Sequence, residues 1–306
     1  MERFSYRSCT DTCDIAAYAW LPEGAPTAVI QIVHGMAEHA SRYDDLARFL
    51  TKAGYAVYAE DHPGHGESIN GKGIRGFFAP EKGWDCVVKD IMTLHETVKE
   101  KHPGLPMLLY GHSMGSFLAR TCASRFPNEF DAFVFSGTAG KNPILAIAHA
   151  IANSNIKRNG GRVPDEKLNA MAFGSYLKRI KNPRTPFDWL TRDNAIVDEY
   201  IKDDLCGFPF TSSAFRDLFE GLGEIAGRKW AMKVANVPIC LLAGKEDPVG
   251  SYGKGVVEVS EDLIKTGHTK VVLQLYEGGR HEMHNEINRE EVYRGILAFM
   301  RSAFSR

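Results

Sequence analysis

Six short apolar runs decide what architecture is open to this chain: TAVIQIVHG at 27–35, YAVYAED at 55–61, PMLLYGHS at 106–113, FDAFVFSG at 130–137, VPICLLAG at 237–244 and VVLQLY at 271–276. Most are apolar at consecutive positions rather than at every second one, the pattern of strands covered on both faces. Segments of helical composition lie between them, notably at 40–52, 84–101, 115–126 and 286–301. Alternation of strand and helix predicts an α/β sandwich around a mainly parallel sheet, because parallel neighbours need a crossover between them. The segments around 3–8 and 13–20 alternate more clearly and predict an antiparallel edge hairpin.

That rhythm breaks between 139 and 235, a stretch far longer than an ordinary crossover. It contains the apolar NPILAIAHAIA, the polar NSNIKRNGGRVP, the turn-rich KNPRTPFDWLTRDN and the aromatic LCGFPFTSSAFRDLF. An inserted helical cap is the economical reading. The expected organisation is therefore a core at 1–138, a helical cap at 139–235 and the rest of the core at 236–306.

With 37 Lys plus Arg against 38 Asp plus Glu, no bulk attraction to nucleic acid or to an anionic membrane is implied. The N-terminal stretch MERFSYRSCTDTCDIAAYAW has no apolar h-region, and no apolar run is long enough to span a bilayer. Six cysteines, at 9, 13, 86, 122, 206 and 240, are scattered through a chain large enough to fold without disulfides. Reduced cysteines in a cytoplasmic protein are the expectation. Cys9 and Cys13 are not spaced as a CxxC pair, and no second pair completes a zinc site.

Gly111-His112-Ser113-Met114-Gly115 matches the G-x-S-x-G elbow, in which a strand turns sharply into a helix and exposes a serine at the bend. The bland alternative is a glycine-rich turn whose serine only caps the helix. Ser116 is expected to pack or hydrogen-bond within the first helical turn. A serine hydroxyl needs a base, and on this scaffold the partners follow in the order acid, then histidine. Asp247 stands in the turn after VPICLLAG, with Glu246 as its rival. His281 stands in the loop after VVLQLYEGG, with His284 and His268 as rivals; His268 precedes its strand and is expected to face water. His34 could shape the loop after the first central run or serve as a structural hydrogen bonder. His62 and His65 lack a third ligand at diagnostic spacing, and HEMH is not H-E-x-x-H, so a catalytic metal is not expected.

VHGMAEHASRY, AEDHPGHGES, GHSMGS, LAGKEDPV and EGGRHEMHNE together resemble the serine hydrolases of the monoacylglycerol lipase and lysophospholipase group, an S33-type aminopeptidase group of the α/β-hydrolase superfamily. The likeness covers roughly 25–137 and 236–302, and DWLTRDNAIVDEYIKDDLCGFPFT is similar to bacterial members. The resemblance implies an α/β-hydrolase fold with an eight-stranded, mostly parallel sheet and a helical cap. It also implies a Ser113, Asp247, His281 triad, oxyanion donors at the backbone N–H groups of Met36 and Met114, and no cofactor. In the lipases it resembles, the cap lines an acyl tunnel and can dock on membranes. NPILAIAHAIA could supply that surface here, or pack against the core.

The implied partner is a small acyl ester, with transient lipid-surface contact through the cap, as a monomer or homodimer. KRNGGRVPDEKLNAMAFGSYLKRI departs from the animal monoacylglycerol lipases, which leaves a lysophospholipid or a shorter ester open beside a long-chain glyceride. Phe208, Phe210 and Phe215 could line an acyl pocket or hold the cap; Tyr176 and Trp189 carry the same ambiguity. A proline-type aminopeptidase would need a carboxylate-lined pocket, for which Glu166, Asp198, Glu199, Asp203 and Asp204 supply charge without a visible arrangement. A non-enzymatic ligand binder is the reading from a different class.

Overall fold

The computed structural model describes residues 1–305. Eight strands form one sheet: β1 (Glu2–Arg7), β2 (Asp14–Trp20), β3 (Val29–Val33), β4 (Ala56–Glu60), β5 (Met107–His112), β6 (Ala132–Ser136), β7 (Ile239–Gly244) and β8 (Val271–Tyr276). Their order across the sheet is β1-β2-β4-β3-β5-β6-β7-β8. β1 and β2 pair antiparallel, as does β2 with β4, and every pairing from β4 through β8 is parallel. The expected edge hairpin and α/β sandwich are both present.

Helices cover both faces of this sheet. α1 (Asp44–Lys52) and α10 (Arg289–Phe304) pack on one side; α2 (Gly83–Lys101), α3 (Met114–Arg125) and α9 (Lys254–Lys265) pack on the other. The central strands show why their sequences do not alternate. In β3, Val29 and Val33 face the α2 side while Ile30 and Ile32 face the α1 side. Gln31, in the middle, stays buried by donating to the Ile91 carbonyl of α2 at 2.8 Å. The amide Nε2 is thereby satisfied, while its Oε1 is buried without a partner among the described residues.

Between β6 and β7 lie α4 (Leu145–Asn159), α5 (Glu166–Phe173), α6 (Asn194–Lys202), α7 (Ser212–Glu224) and α8 (Arg228–Ala231), the inserted helical region. Thr211 caps α7 by accepting from Ala214 N–H, and Asp165 and Asp193 do the same for α5 and α6. Phe210, Phe215 and Trp230 of this region belong to the main core, where Phe210 meets Phe78 edge-on at 5.3 Å. Phe208 is buried with them. These rings anchor the insertion to the sheet's helices.

Three expectations need correction. β8 is an edge strand with Val272 and Leu273 exposed, so its apolar run is not covered on both faces. The last helix starts at Arg289 rather than 286, because the Glu286 carboxylate accepts from Arg192 and from the Arg280 N–H and fixes a non-helical loop. His268 does not face water: it is buried between the carbonyls of Leu263 and Val234.

Candidate active site

Ser113 occupies the bend between β5 and α3 with φ 53° and ψ −123°. A non-glycine residue at such positive φ is strained, and strain of this kind persists where the surroundings over-determine it. Here the helix presses close against the strands. A Cβ on Gly115 would lie 2.0 Å from the Val33 carbonyl oxygen, and one on Gly111 would lie 2.2 Å from that of Gly115. Only glycine permits this approach. Ser113 N–H donates to the Ser136 carbonyl of β6, and Ser116 Oγ donates back to the Ser113 carbonyl at 2.6 Å. The hydroxyl-bearing Cβ is thus carried to the C-terminal edge of the sheet, the edge at which open α/β folds bind ligands.

Asp247 and His281 reach the same edge from the loops after β7 and β8. Asp247 is fully buried; its Oδ1 accepts from the Val249 N–H at 2.9 Å, which leaves Oδ2 to accept from His281 Nδ1 at 3.0 Å. Glu246, its neighbour, points to solvent. With Nδ1 donating to a carboxylate, Nε2 of His281 is left free to take a proton. Burial opposes the charged imidazole, but the charge and hydrogen bond of Asp247, with Glu282 and Glu38 farther off, hold its pKa above the ordinary value. The His281 ring centroid lies 4.6 Å from that of His112, the residue before Ser113 in the chain. Among the described residues, Ser113 Oγ makes no hydrogen bond to the imidazole; the contact that orients His281 is the one to Asp247.

His284 does not reach Asp247. It stacks on Tyr43 at 4.4 Å with both nitrogens unpartnered, and burial pushes its pKa down to about 3. His112 is likewise held neutral, by burial first and then by His281 and His284.

The loop after β3 carries His34, Gly35 and Met36 toward Ser113. A Cβ on Gly35 would approach Ser113 Cβ to 3.1 Å. The backbone N–H groups of Met36 and Met114 are engaged by no other hydrogen bond among the described residues, so both are available beside Ser113. Three groups that sequence reasoning passed over brace this loop. Glu38 accepts from the Gly35 N–H at 2.6 Å and from Tyr43 at 2.8 Å. Arg42 bridges Glu38 to Glu282, donating two hydrogen bonds of 2.7 Å to the latter. The ion triad therefore ties the Gly35–Met36 loop to the loop of His281. The glutamates and arginine of AEHASRY and RHEMHNE were visible as charges, but nothing in their spacing pairs residues so far apart.

His34, His62 and His65 form a buried stack, with the His34 and His62 rings 4.0 Å apart. His34 Nδ1 donates to the Gly35 carbonyl while Nε2 accepts from the His62 N–H, so the ring shapes the loop with both nitrogens spent. Burial lowers the pKa of His62 to about 4 and of His65 to about 3. One group of potential metal donors occurs among the described residues, His39, Asp203 and Cys206. There His39 and Asp203 already pair at 2.8 Å, which joins the insertion to the loop after β3.

The insertion also reaches His281. Trp189 packs on His281 with centroids 5.1 Å apart, and Tyr176 packs edge-on against Trp189.

Residues 24–288 match the family described as serine aminopeptidase, S33. The chain belongs to this family. It is a serine hydrolase of the α/β-hydrolase superfamily. Its relatives include a monoacylglycerol lipase of Mycolicibacterium smegmatis, 31% identical over 286 residues that span 92% of this chain and 90% of that protein. A monoglyceride lipase of Rattus norvegicus is 29% identical over 91% of this chain and 82% of its own length. Among solved structures, a thermostable carboxyl esterase from Bacillus coagulans, in complex with glycerol, superposes with a TM-score of 0.93. It is 33% identical, with 99% of this chain and 98% of that one covered.

Proposed function

We propose that this protein hydrolyses carboxylic esters through an acyl-enzyme on Ser113, with monoacylglycerols or lysophospholipids as its preferred substrates. The observation that carries the reading is the strained serine elbow set beside a buried, Asp247-oriented His281. His281 takes the hydroxyl proton as Ser113 attacks the ester carbonyl. The backbone N–H groups of Met36 and Met114 receive the negative charge that develops on the carbonyl oxygen. His281 then gives its proton to the departing alkoxide, and water activated by the same imidazole releases the acid. No step calls for a metal or a cofactor.

Residues 139–235 act as the cap in this reading, and relatives described as lipases of monoacylglycerols support an acyl chain beneath it. Ile144 and Ile147, one helical turn apart at the start of α4, are both exposed and support transient contact with a lipid surface. Among the described residues, no helix is long and apolar enough to cross a membrane. All six cysteines are free, which supports a cytoplasmic setting. The carboxyl esterase likeness favours a second reading, in which shorter soluble esters are turned over best.

The test is hydrolysis of a panel of monoacylglycerols, lysophospholipids, soluble esters of graded chain length and aminoacyl amides, with Ser113→Ala beside the wild type. Ser113-dependent turnover that peaks on medium or long monoacylglycerols or lysophospholipids upholds the first reading. A peak on short esters upholds the second, and a peak on aminoacyl amides overturns both.

A further inference from the structure

The inserted region sets an aromatic side chain against His281 that the reaction as described does not use. Trp189 lies between α5 and α6, and its ring centroid is 5.1 Å from that of His281, with the planes inclined at 41°. Main-chain bonds hold the two segments together. The Trp189 carbonyl accepts from the His281 N–H at 3.4 Å, and the Leu190 carbonyl accepts from the Glu282 N–H at 2.7 Å. Arg280 donates to the carbonyls of Asp188 and Thr191, and Thr191 Oγ1 donates to the Asn285 carbonyl. The indole is itself fixed, stacked on Phe173 at 5.9 Å and met edge-on by Tyr176 at 4.9 Å. Only 9% of Trp189 is exposed.

We propose that Trp189 is a positioning residue whose indole favours the charged form of His281, so that the insertion serves the general-base step as well as covering the substrate. This rests on the reading of His281 as the base. An aromatic face within about 6 Å of a cation attracts it, tryptophan most strongly, and the attraction grows where water is excluded. The imidazole becomes a cation only while it holds the Ser113 proton. Favouring the cation therefore lowers the barrier to attack.

The other groups around His281 are accounted for. Asp247, from the β7 loop, accepts from Nδ1; Glu282 adjoins it in the chain, and Glu38 faces it from the Gly35 loop. His112 of β5 and His284 are neutral, and Arg42 acts on both from behind. The Tyr176 phenol lies close enough to feel Asp247 and is kept protonated by burial.

The test reads the ring directly. The His281 resonance, assigned by its loss in His281→Gln, is titrated by NMR in the inactive Ser113→Ala background, with and without Trp189→Leu or Trp189→Phe. The ring pKa falls in the Leu variant and falls less with Phe, which keeps an aromatic face. In the active enzyme, Trp189→Leu lowers kcat on a short soluble ester by about 3- to 30-fold while KM changes little.

A rise in ring pKa overturns the proposal, because it means that the indole acts only by excluding water. No shift overturns it too. Trp189→Phe keeps the test readable if the Leu variant fails to fold. Failure of the underlying reading looks different: His281→Gln would retain turnover.

Discussion

His281 sits between His112 and Trp189, and Asp247 decides its charge. With His281 as the proposed base, which acts only when unprotonated, turnover is expected to fall as pH drops through the pKa of this imidazole. Asp247 raises that pKa, so the acid limb of kcat/KM is expected on the alkaline side of the ordinary imidazole value of about 6.5. Asp247→Asn removes both the charge and the tautomer control. A loss of roughly 10⁴-fold in kcat is expected, with the residual limb displaced to lower pH; steady-state kinetics across pH 5 to 9 checks both. At this scale the sequence was unevenly legible. Two glycines around a serine, between an apolar strand and a helix, name a position because few other folds need that spacing. Asp247 and Glu246 are adjacent carboxylates in one turn, and only the burial of one and exposure of the other separates them. Trp189 gave no usable signal, since its place against His281 depends on how a long insertion folds back.

The antiparallel edge of the sheet carries a buried acidic network that the mechanism leaves aside. Glu60, the last residue of β4, accepts from the Tyr6 hydroxyl of β1, and Asp90 of α2 accepts from Ser8 Oγ and the Cys9 N–H. Burial raises the pKa of Glu60 to about 8 and that of Asp90 to about 7. Folded Glu60 thus keeps a proton that the unfolded chain has lost above about pH 4.5, so stability declines as pH rises through that window. Glu60→Gln keeps a neutral hydrogen-bonding group there and is expected to flatten this decline. Thermal unfolding of both proteins at pH 5, 7 and 8.5 reads it, and parallel slopes would contradict it. Among the elements, the buried strands were legible because apolar residues on both faces leave no polar alternation. β8 misled because an edge strand can be as apolar as a central one, and the onset of α10 misled because Glu286 is a good helix former held by arginines from elsewhere.

The insertion is joined to the core at its ends by one buried cation. Arg120 of α3 donates to the Ala139 carbonyl at 2.8 Å, to Thr138 Oγ1 at 3.3 Å and to the Ile225 carbonyl at 2.7 Å, beneath the Trp230 ring at 4.3 Å. Its hydrogen bonds go to uncharged oxygens, and burial lowers its pKa to about 9. Arg120→Ala strands the buried Ile225 carbonyl and the half-buried Ala139 carbonyl, and opens space beside Trp230. It is expected to cost about 3 kcal/mol in denaturant unfolding and to expose the 139–165 segment to protease. Replacement of Ile144 and Ile147 by Asp is expected to reduce turnover of vesicle-borne monoacylglycerol several-fold while sparing a soluble ester. Equal effects on both substrates would remove lipid-surface contact from the account. The central claim is that Ser113 becomes acylated, and peptide mass spectrometry after reaction with a fluorophosphonate tests it most directly. One adduct on the Ser113 peptide, absent from Ser113→Ala and slowed in His281→Gln, is the expected result; an adduct elsewhere, or none, would contradict it.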